Sequence, residues 1–329
     1  MIKNILKFCF AGAIIAWLLK SGKLDFTLIT QSFQQGYYWL AALTIIALNA
    51  LMSTYRWKIL LEIKAGTKLP YLPCVKLTWI GLFFNSFLPG AVTGDFIKLL
   101  YAKDLNKELS KTFLITSVLM DRVIGLIGLL ILVGIFSMIS YSEVIQISPQ
   151  ISNLMVMNFL LFIGVVLFLV TLFLPTSIQN IFLNLSLKIP VLGDKVHHTL
   201  EQVWLIGKAK VAVIQCLFIS FLCQFLNVLT LYVLAYQFIG DAVPLTHAFT
   251  FIPIGFIAVA IPIAPAGLGV GHVAFETLFG YFNIKGGASY FNLLFLLMIF
   301  VNLLGVFPYL FSGKKHTLAE ASEFEKSTS

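Results

Sequence analysis

The sequence predicts an all-α polytopic membrane protein with about six full transmembrane helices. Two further segments read as oppositely oriented re-entrant or broken helices, the pattern of an inverted repeat. Three observations carry this reading. Of 329 residues, 59% are hydrophobic and only 11% charged, with a mean hydropathy of +0.96, whereas a soluble domain carries about 25% charged residues. Apolar stretches of the length needed to cross a ~30 Å hydrocarbon core recur along the whole chain. Two of these stretches are interrupted by proline and glycine in the same way. A water-soluble protein of this balance could not bury its apolar surface, which excludes the soluble-enzyme class.

The full spans are read at residues 5–19, 37–55, 113–141, 153–174, 211–239 and 288–311. The first has the basic flank of a signal peptide but no small-x-small cleavage site before Lys20, so it reads as a retained anchor. The two interrupted segments are 70–89 and 248–265. Residues 176–210 space apolar side chains regularly among Lys188, Lys195, His197, His198, Glu201 and Lys208, which predicts an amphipathic cytoplasmic helix on the membrane surface. The transmembrane domain is expected over 1–312, with 313–329 a polar, disordered cytoplasmic tail.

The net charge of +8 raises the question of nucleic acid, but no stretch reads as a basic groove with interleaved aromatics, so no nucleic-acid partner is expected. The excess instead sorts by side of the membrane. With the N-terminus in the cytoplasm, 17 of the 22 Lys and Arg fall in inner segments. Three (Lys20, Lys23, Lys285) fall outside, and Lys76 and Arg122 lie within apolar segments. This holds only if 70–89 and 248–265 each return to the side they entered from, the first opening inward and the second outward. Both termini are then cytoplasmic, and the protein belongs in the cytoplasmic (inner) membrane. The four cysteines (Cys9, Cys74, Cys216, Cys223) all lie in apolar stretches without metal-type spacing, and neither metal nor cofactor is expected.

The interrupted segments share their punctuation. One ends in Pro89-Gly90 and continues to Gly94-Asp95; the other ends in Pro265 and continues through Gly267, Gly269 and Gly271 to His272. Proline removes a backbone donor, and glycine lets the chain reverse. Backbone freed in this way must be buried in protein or line a water-filled cavity, and paired discontinuous helices build the central sites of transporters. The plainer alternative is a pair of kinks packed against neighbouring helices. A nucleotide loop is excluded, because the second glycine run is not G-x-G-x-x-G and no GK[ST] occurs.

Charges stand where charges are costly. Asp121 and Arg122 lie ten and eleven residues beyond Lys111 within an apolar span, and each costs about 2.5–3.5 kcal/mol at the bilayer centre. Adjacent helical residues do not face one another, so they need separate partners: Asp95 or Glu276 for Arg122, Lys98 or Arg56 for Asp121. A static ion pair and a polar pathway both satisfy this. Asp95 is placed to cap the helix that carries Lys98. Arg56, beside Trp57, reads first as an interfacial anchor. His272 and Glu276 share a helix face, with no third metal ligand apparent.

Taken together, Arg56-Trp57, the run Phe84-Asn85-Ser86-Phe87-Leu88-Pro89-Gly90 through Gly94-Asp95, Ser117 through Asp121-Arg122 to Gly125-Leu126, and Pro265-Ala-Gly267-Leu-Gly269 with Glu276 resemble the flippase-like integral membrane family. That family is also described as the lysylphosphatidylglycerol synthase transmembrane region. The resemblance runs from about residue 53 to 311. It implies movement of a lipid across the bilayer, as in the multiple peptide resistance factors, where a separate soluble domain makes an aminoacylated phospholipid. No such domain is expected with this chain, so aminoacyl transfer is not implied. Relatives linked with polyprenyl-phosphate sugars and hopanoids leave the lipid open. The chain departs from the family pattern in Thr93, where a glycine is common, and in Lys98, where arginine is common. Lysine keeps the charge without bidentate phosphate binding.

The preferred expectation is a lipid translocase with a membrane lipid as its partner. Arg122, Lys98 and Arg56 would hold a phosphate, with help from helix N-termini at Gly94 and Gly271. Asn85, Asp95, Asp121, His272 and Glu276 would complete the substrate site. A membrane glycosyl- or other transferase acting on a lipid-linked substrate, with one of the carboxylates as general base, is the alternative. A membrane scaffold is the third reading.

Overall fold

The structure is a computed structural model and describes residues 30–32, 34, 36–87, 93–147, 149–188, 193–260 and 267–311. The expectations at 5–19, at Pro89, Gly90 and Pro265, and over the tail 313–329 lie outside these residues. The described chain is α-helical, with no strand among the described residues. In order the helices are α1 (Gly36–Ala65), α2 (Tyr71–Phe87), α3 (Thr93–Lys103), α4 (Lys111–Ile139), α5 (Tyr141–Val144), α6 (Pro149–Leu172), α7 (Thr176–Ser186), α8 (Gly193–Lys208), α9 (Lys210–Ile239), α10 (Leu245–Ala260), α11 (Val270–Gly280), α12 (Gly287–Leu303) and α13 (Val306–Leu310).

Five of these segments are long and apolar enough to span a bilayer: Gly36–Ala65, Lys111–Ile139, Pro149–Leu172, Lys210–Ala242 and Gly287–Leu310. They coincide with five of the six spans read from hydropathy. The boundaries have local causes. Ser110 caps α4 by accepting the Phe113 N–H at 3.3 Å, one of the donors a helix start leaves open. At the other end of the chain, α9 stops at Gly240, whose φ is +52°.

The interrupted segments fold as two helical hairpins. In the first, α2 and α3 lie against each other so closely that a Cβ built on Gly94 would fall 2.2 Å from the Gly81 carbonyl oxygen. In the second, Gly255 of α10 faces the Phe275 ring of α11, and Gly267 faces Val259. The glycines act differently in the two. Gly267 and Gly269 have φ of +71° and +81°, a region L side chains avoid; Gly94 serves by lacking a side chain.

Contacts at the hairpin bases fix their orientation. The loop entering the first hairpin meets the loop leaving it through Asn106 and Thr67, at the end of α1 and the start of α4. The base of the second lies by the opposite end of α4: His247 at the start of α10 pairs with Glu143 at 2.9 Å, and Phe282 after α11 packs on Val144, Ile151 and Met155. The hairpins therefore open to opposite faces. Each sits in its own apolar core. One core joins the C-terminal half of α1 and the start of α4 to α2 and α3. The other joins the N-terminal half of α1 and the end of α9 to α10, α11 and α12. Helix α4 is the most enclosed span, with 56% of its most apolar window buried against 17% for α6, whose apolar side chains face outward.

The amphipathic segment expected over 176–210 is two helices rather than one. Helix α7 turns Ile178, Ile181, Phe182 and Leu185 outward, a stripe at helical spacing, while α8 packs inward, Trp204 donating to the Thr171 carbonyl at 3.3 Å. Arg56 and Lys58, which the charge count places in an inner loop, lie within α1 and are buried. The helix runs on to Ala65 because both cations find partners inside the protein.

Candidate functional site

Three elements bring the ionisable residues together: α1 carries Arg56, α4 carries Asp121 and Arg122, and the first hairpin carries Asn85, Asp95 and Lys98. Eleven residues at ~1.5 Å each place Arg122 about 16 Å along α4 from Lys111, near the middle of a ~30 Å core.

Arg56 and Asp121 form a two-pronged pair, Nε donating to Oδ1 at 2.8 Å and Nη2 to Oδ2 at 3.0 Å. This fork geometry is the strongest that a guanidinium and a carboxylate make. The third prong, Nη1, donates to Ser220 Oγ at 3.0 Å, and Ser220 donates in turn to the Ile124 carbonyl at 2.8 Å. The side chain of Arg56 is only 8% exposed. The interfacial role expected for it is therefore corrected: Arg56 is an internal clasp joining α1, α4 and α9.

Arg122 finds Asp95, so the adjacent charges on α4 do take separate partners. This second pair stands at the protein's edge, with Arg122 47% exposed and Asp95 16%. A half-exposed ion pair halfway along a span needs water or a polar head group beside it. Asn85, on α2, reaches across the hairpin. Its Oδ1 accepts the Gly94 N–H at 2.9 Å, and its Nδ2 donates toward Asp95 Oδ1 at 3.4 Å. Asn85 thus does the capping expected of Asp95. The Gly94 N–H, expected to be open to an anion, is occupied.

Lys98 is the exception to the pairing. It is 8% exposed, its Nζ lies 3.5 Å from the centre of the Trp57 ring, and it forms no ion pair or hydrogen bond among the described residues. A cation on an indole face gains about 0.5–2 kcal/mol. Trp57 is held in place by its own Nε1, which donates to Ser117 Oγ at 3.3 Å.

The structure does not bring His272 and Glu276 to this cluster. The His272 Nδ1 accepts the Gly269 N–H at 3.3 Å, and its ring meets Phe291 edge-on. Glu276 accepts the Ala288 N–H at 3.1 Å. Both tie the second hairpin to its own turn and to α12. Gly271 likewise packs against the Phe291 ring. Among the described residues no group of three His, Cys, Asp or Glu is placed to hold a metal ion.

One feature of the site escapes motif reading. Beyond Ser220, Gln224 donates to the Gly125 carbonyl at 3.0 Å, Asn227 donates to Gln224 at 3.0 Å, and Asn49 donates to Asn227. Ser220, Gln224 and Asn227 recur at i, i+4 and i+7, a polar stripe on one face of an apolar span. That spacing was available in the sequence.

The fold and site define an integral membrane protein in which two opposed helical hairpins flank a central span, with paired charges gathered at the first hairpin. Within that class the chain belongs to the family described as the lysylphosphatidylglycerol synthase TM region, which matches residues 4–310. No curated protein and no solved structure matches the chain.

Proposed function

We propose that the protein moves a membrane lipid across the cytoplasmic membrane, with both of its termini in the cytoplasm. The head group passes through a polar opening beside the first hairpin while the acyl chains stay in hydrocarbon. The observation that supports this most is the Arg122–Asp95 pair, a charge pair halfway along a span, half open and adjacent to a helix break. The arginine of a purely structural pair would be enclosed, as Arg56 is at 8% exposure. Membership of a family named for a phospholipid synthase's membrane region agrees with a lipid partner.

In liposomes containing fluorescent phospholipid, the purified protein should speed exchange between leaflets, and the double variant Asp95→Ala/Arg122→Ala should lose that activity while remaining folded. Equal exchange by both would reject the reading. Recovering the lipid chemically unchanged separates translocation from a transferase reaction.

A further inference from the structure

Among the described residues, the charges around the first hairpin do not balance. Three cations, Arg56, Lys98 and Arg122, face two carboxylates, Asp95 and Asp121, and each carboxylate is already held by an arginine. Lys98 ion-pairs with neither: its Nζ lies over the Trp57 ring, within electrostatic reach of both carboxylates. Residues 88–92, between α2 and α3, are Leu-Pro-Gly-Ala-Val and include no ionisable residue, so they supply no counter-charge. The nearest further charges in α1, Lys58 and Glu62, satisfy each other at 2.6 Å. A buried cation without a counter-ion is costly, and adding one restores what burial took away. Asp95 and Lys98 stand three residues apart on α3, a spacing at which side chains meet on a helix.

We propose that the cluster binds one monoanionic phosphodiester, the head group of an anionic phospholipid, by an exchange of partners. The phosphate oxygens take Arg122, the open member of the outer pair, from Asp95. Asp95 then turns along its own helix to Lys98, while Arg56 and Asp121 stay together. Every charge in the bound state has a partner, and the site is neutral with a single negative charge added. A zwitterionic head group leaves the imbalance in place, a cationic aminoacyl ester adds to it, and a second negative charge overshoots. This names the substrate class of the site described above and rests on that reading of it.

The test is lipid binding by the purified full chain in neutral detergent, read by native mass spectrometry. The short-chain ligands are phosphatidylglycerol, phosphatidylcholine, phosphatidic acid, lysyl-phosphatidylglycerol and the tail-less diester glycerophosphoglycerol. Phosphatidylglycerol should bind at least about tenfold more tightly than the zwitterionic and cationic lipids, and phosphatidic acid no more tightly than phosphatidylglycerol. Lys98→Met should abolish the preference without lowering the thermal midpoint, because it removes an unpaired buried charge, and Lys98→Arg should retain it. Equal affinity for phosphatidylglycerol and phosphatidylcholine, or a preference that survives in Lys98→Met, would overturn the proposal. Competition by glycerophosphoglycerol as strong as by the lipid would also overturn it, since the occupant would then be a free diester. Leaflet exchange measured on the same variants keeps the two ideas apart. Charge selectivity without exchange sinks translocation alone, and exchange without selectivity sinks the partner swap alone.

Discussion

Arg56 and Arg122 each hold an aspartate, yet their removal should have different consequences, because Arg56 is enclosed and Arg122 is half exposed. Arg56→Met would take from Asp121 its two-pronged partner, and breaking a buried pair from one side costs up to about 3–5 kcal/mol. Arg56→Met/Asp121→Leu should recover most of that loss, since replacing a whole buried pair by apolar groups is close to neutral. Arg122→Ala should cost less than about 1 kcal/mol, as exposed pairs usually do, while abolishing lipid movement. Thermal unfolding in detergent, set beside leaflet exchange, reads both. If Arg56→Met melted like wild type, the internal clasp would be discounted. The sequence made the charged residues legible because ionised side chains in apolar runs are conspicuous, and it allowed Asp95 for Arg122 and Arg56 for Asp121. It did not separate enclosed from open. Arg56 lies next to Trp57 near the polar end of a hydropathy window, a local pattern shared by interfacial anchors and internal clasps alike. Only the packing of α9, with Ser220 brought to the third guanidinium prong, tells them apart.

At the scale of elements, the hairpins depend on helices approaching more closely than side chains normally permit. A Cβ on Gly94 would lie 2.2 Å from the Gly81 carbonyl and 2.7 Å from the backbone nitrogen of Asn85, and backbone atoms cannot rotate away as a flexible side chain can. Gly94→Ala should therefore splay α2 from α3 and break the Asn85 cap, a strain of about 1–3 kcal/mol or more. Gly164, within the outward-facing α6, meets nothing within 4 Å, and Gly164→Ala should be neutral or stabilising by up to about 1 kcal/mol through helix propensity. Thermal midpoints of the two variants check this directly; a Gly94→Ala protein as stable as wild type would contradict the close packing. The reversal at Gly267 and Gly269 was readable, since glycines in an apolar run leave few alternatives, while Pro89, Gly90 and Pro265 lie outside the described residues. What the shared punctuation did not reveal was that the two turns are secured by different means. An asparagine from the preceding helix closes the first, and positive-φ glycines with a histidine acceptor close the second. His272 and Glu276 looked like site residues because they share a helix face. Each accepts a backbone N–H, from Gly269 and from Ala288, a kind of partner that leaves no mark in a side-chain pattern.

For the whole molecule, the hairpin bases and the charge distribution make a joint prediction. Contacts place the loop around Asn106 at one face, and place Glu143, His247 and the turn at residues 281–286 at the other. This relation comes from packing alone and does not say which face is cytoplasmic. The basic residues predict the orientation: Lys103, Lys107 and Lys111 surround Asn106, while Lys285 is the one basic residue between α11 and α12, and cytoplasmic loops carry the excess of Lys and Arg. Single cysteines introduced at Asn106 and at Lys285, in a background with the four native cysteines replaced by serine or alanine, should therefore label from opposite sides of intact cells. An impermeant thiol reagent should reach position 285 without permeabilisation and position 106 only after it. Three of the native cysteines, Cys74, Cys216 and Cys223, are buried, so their replacement should be made with the small apolar alanine and checked by the melting temperature. Labelling of both positions from the same side would mean that one hairpin is a full crossing. The opposed geometry of the two hairpins would then fail. Labelling from opposite sides in the reversed sense would keep that geometry and overturn only the orientation, since both hairpins can trade faces together without altering a contact.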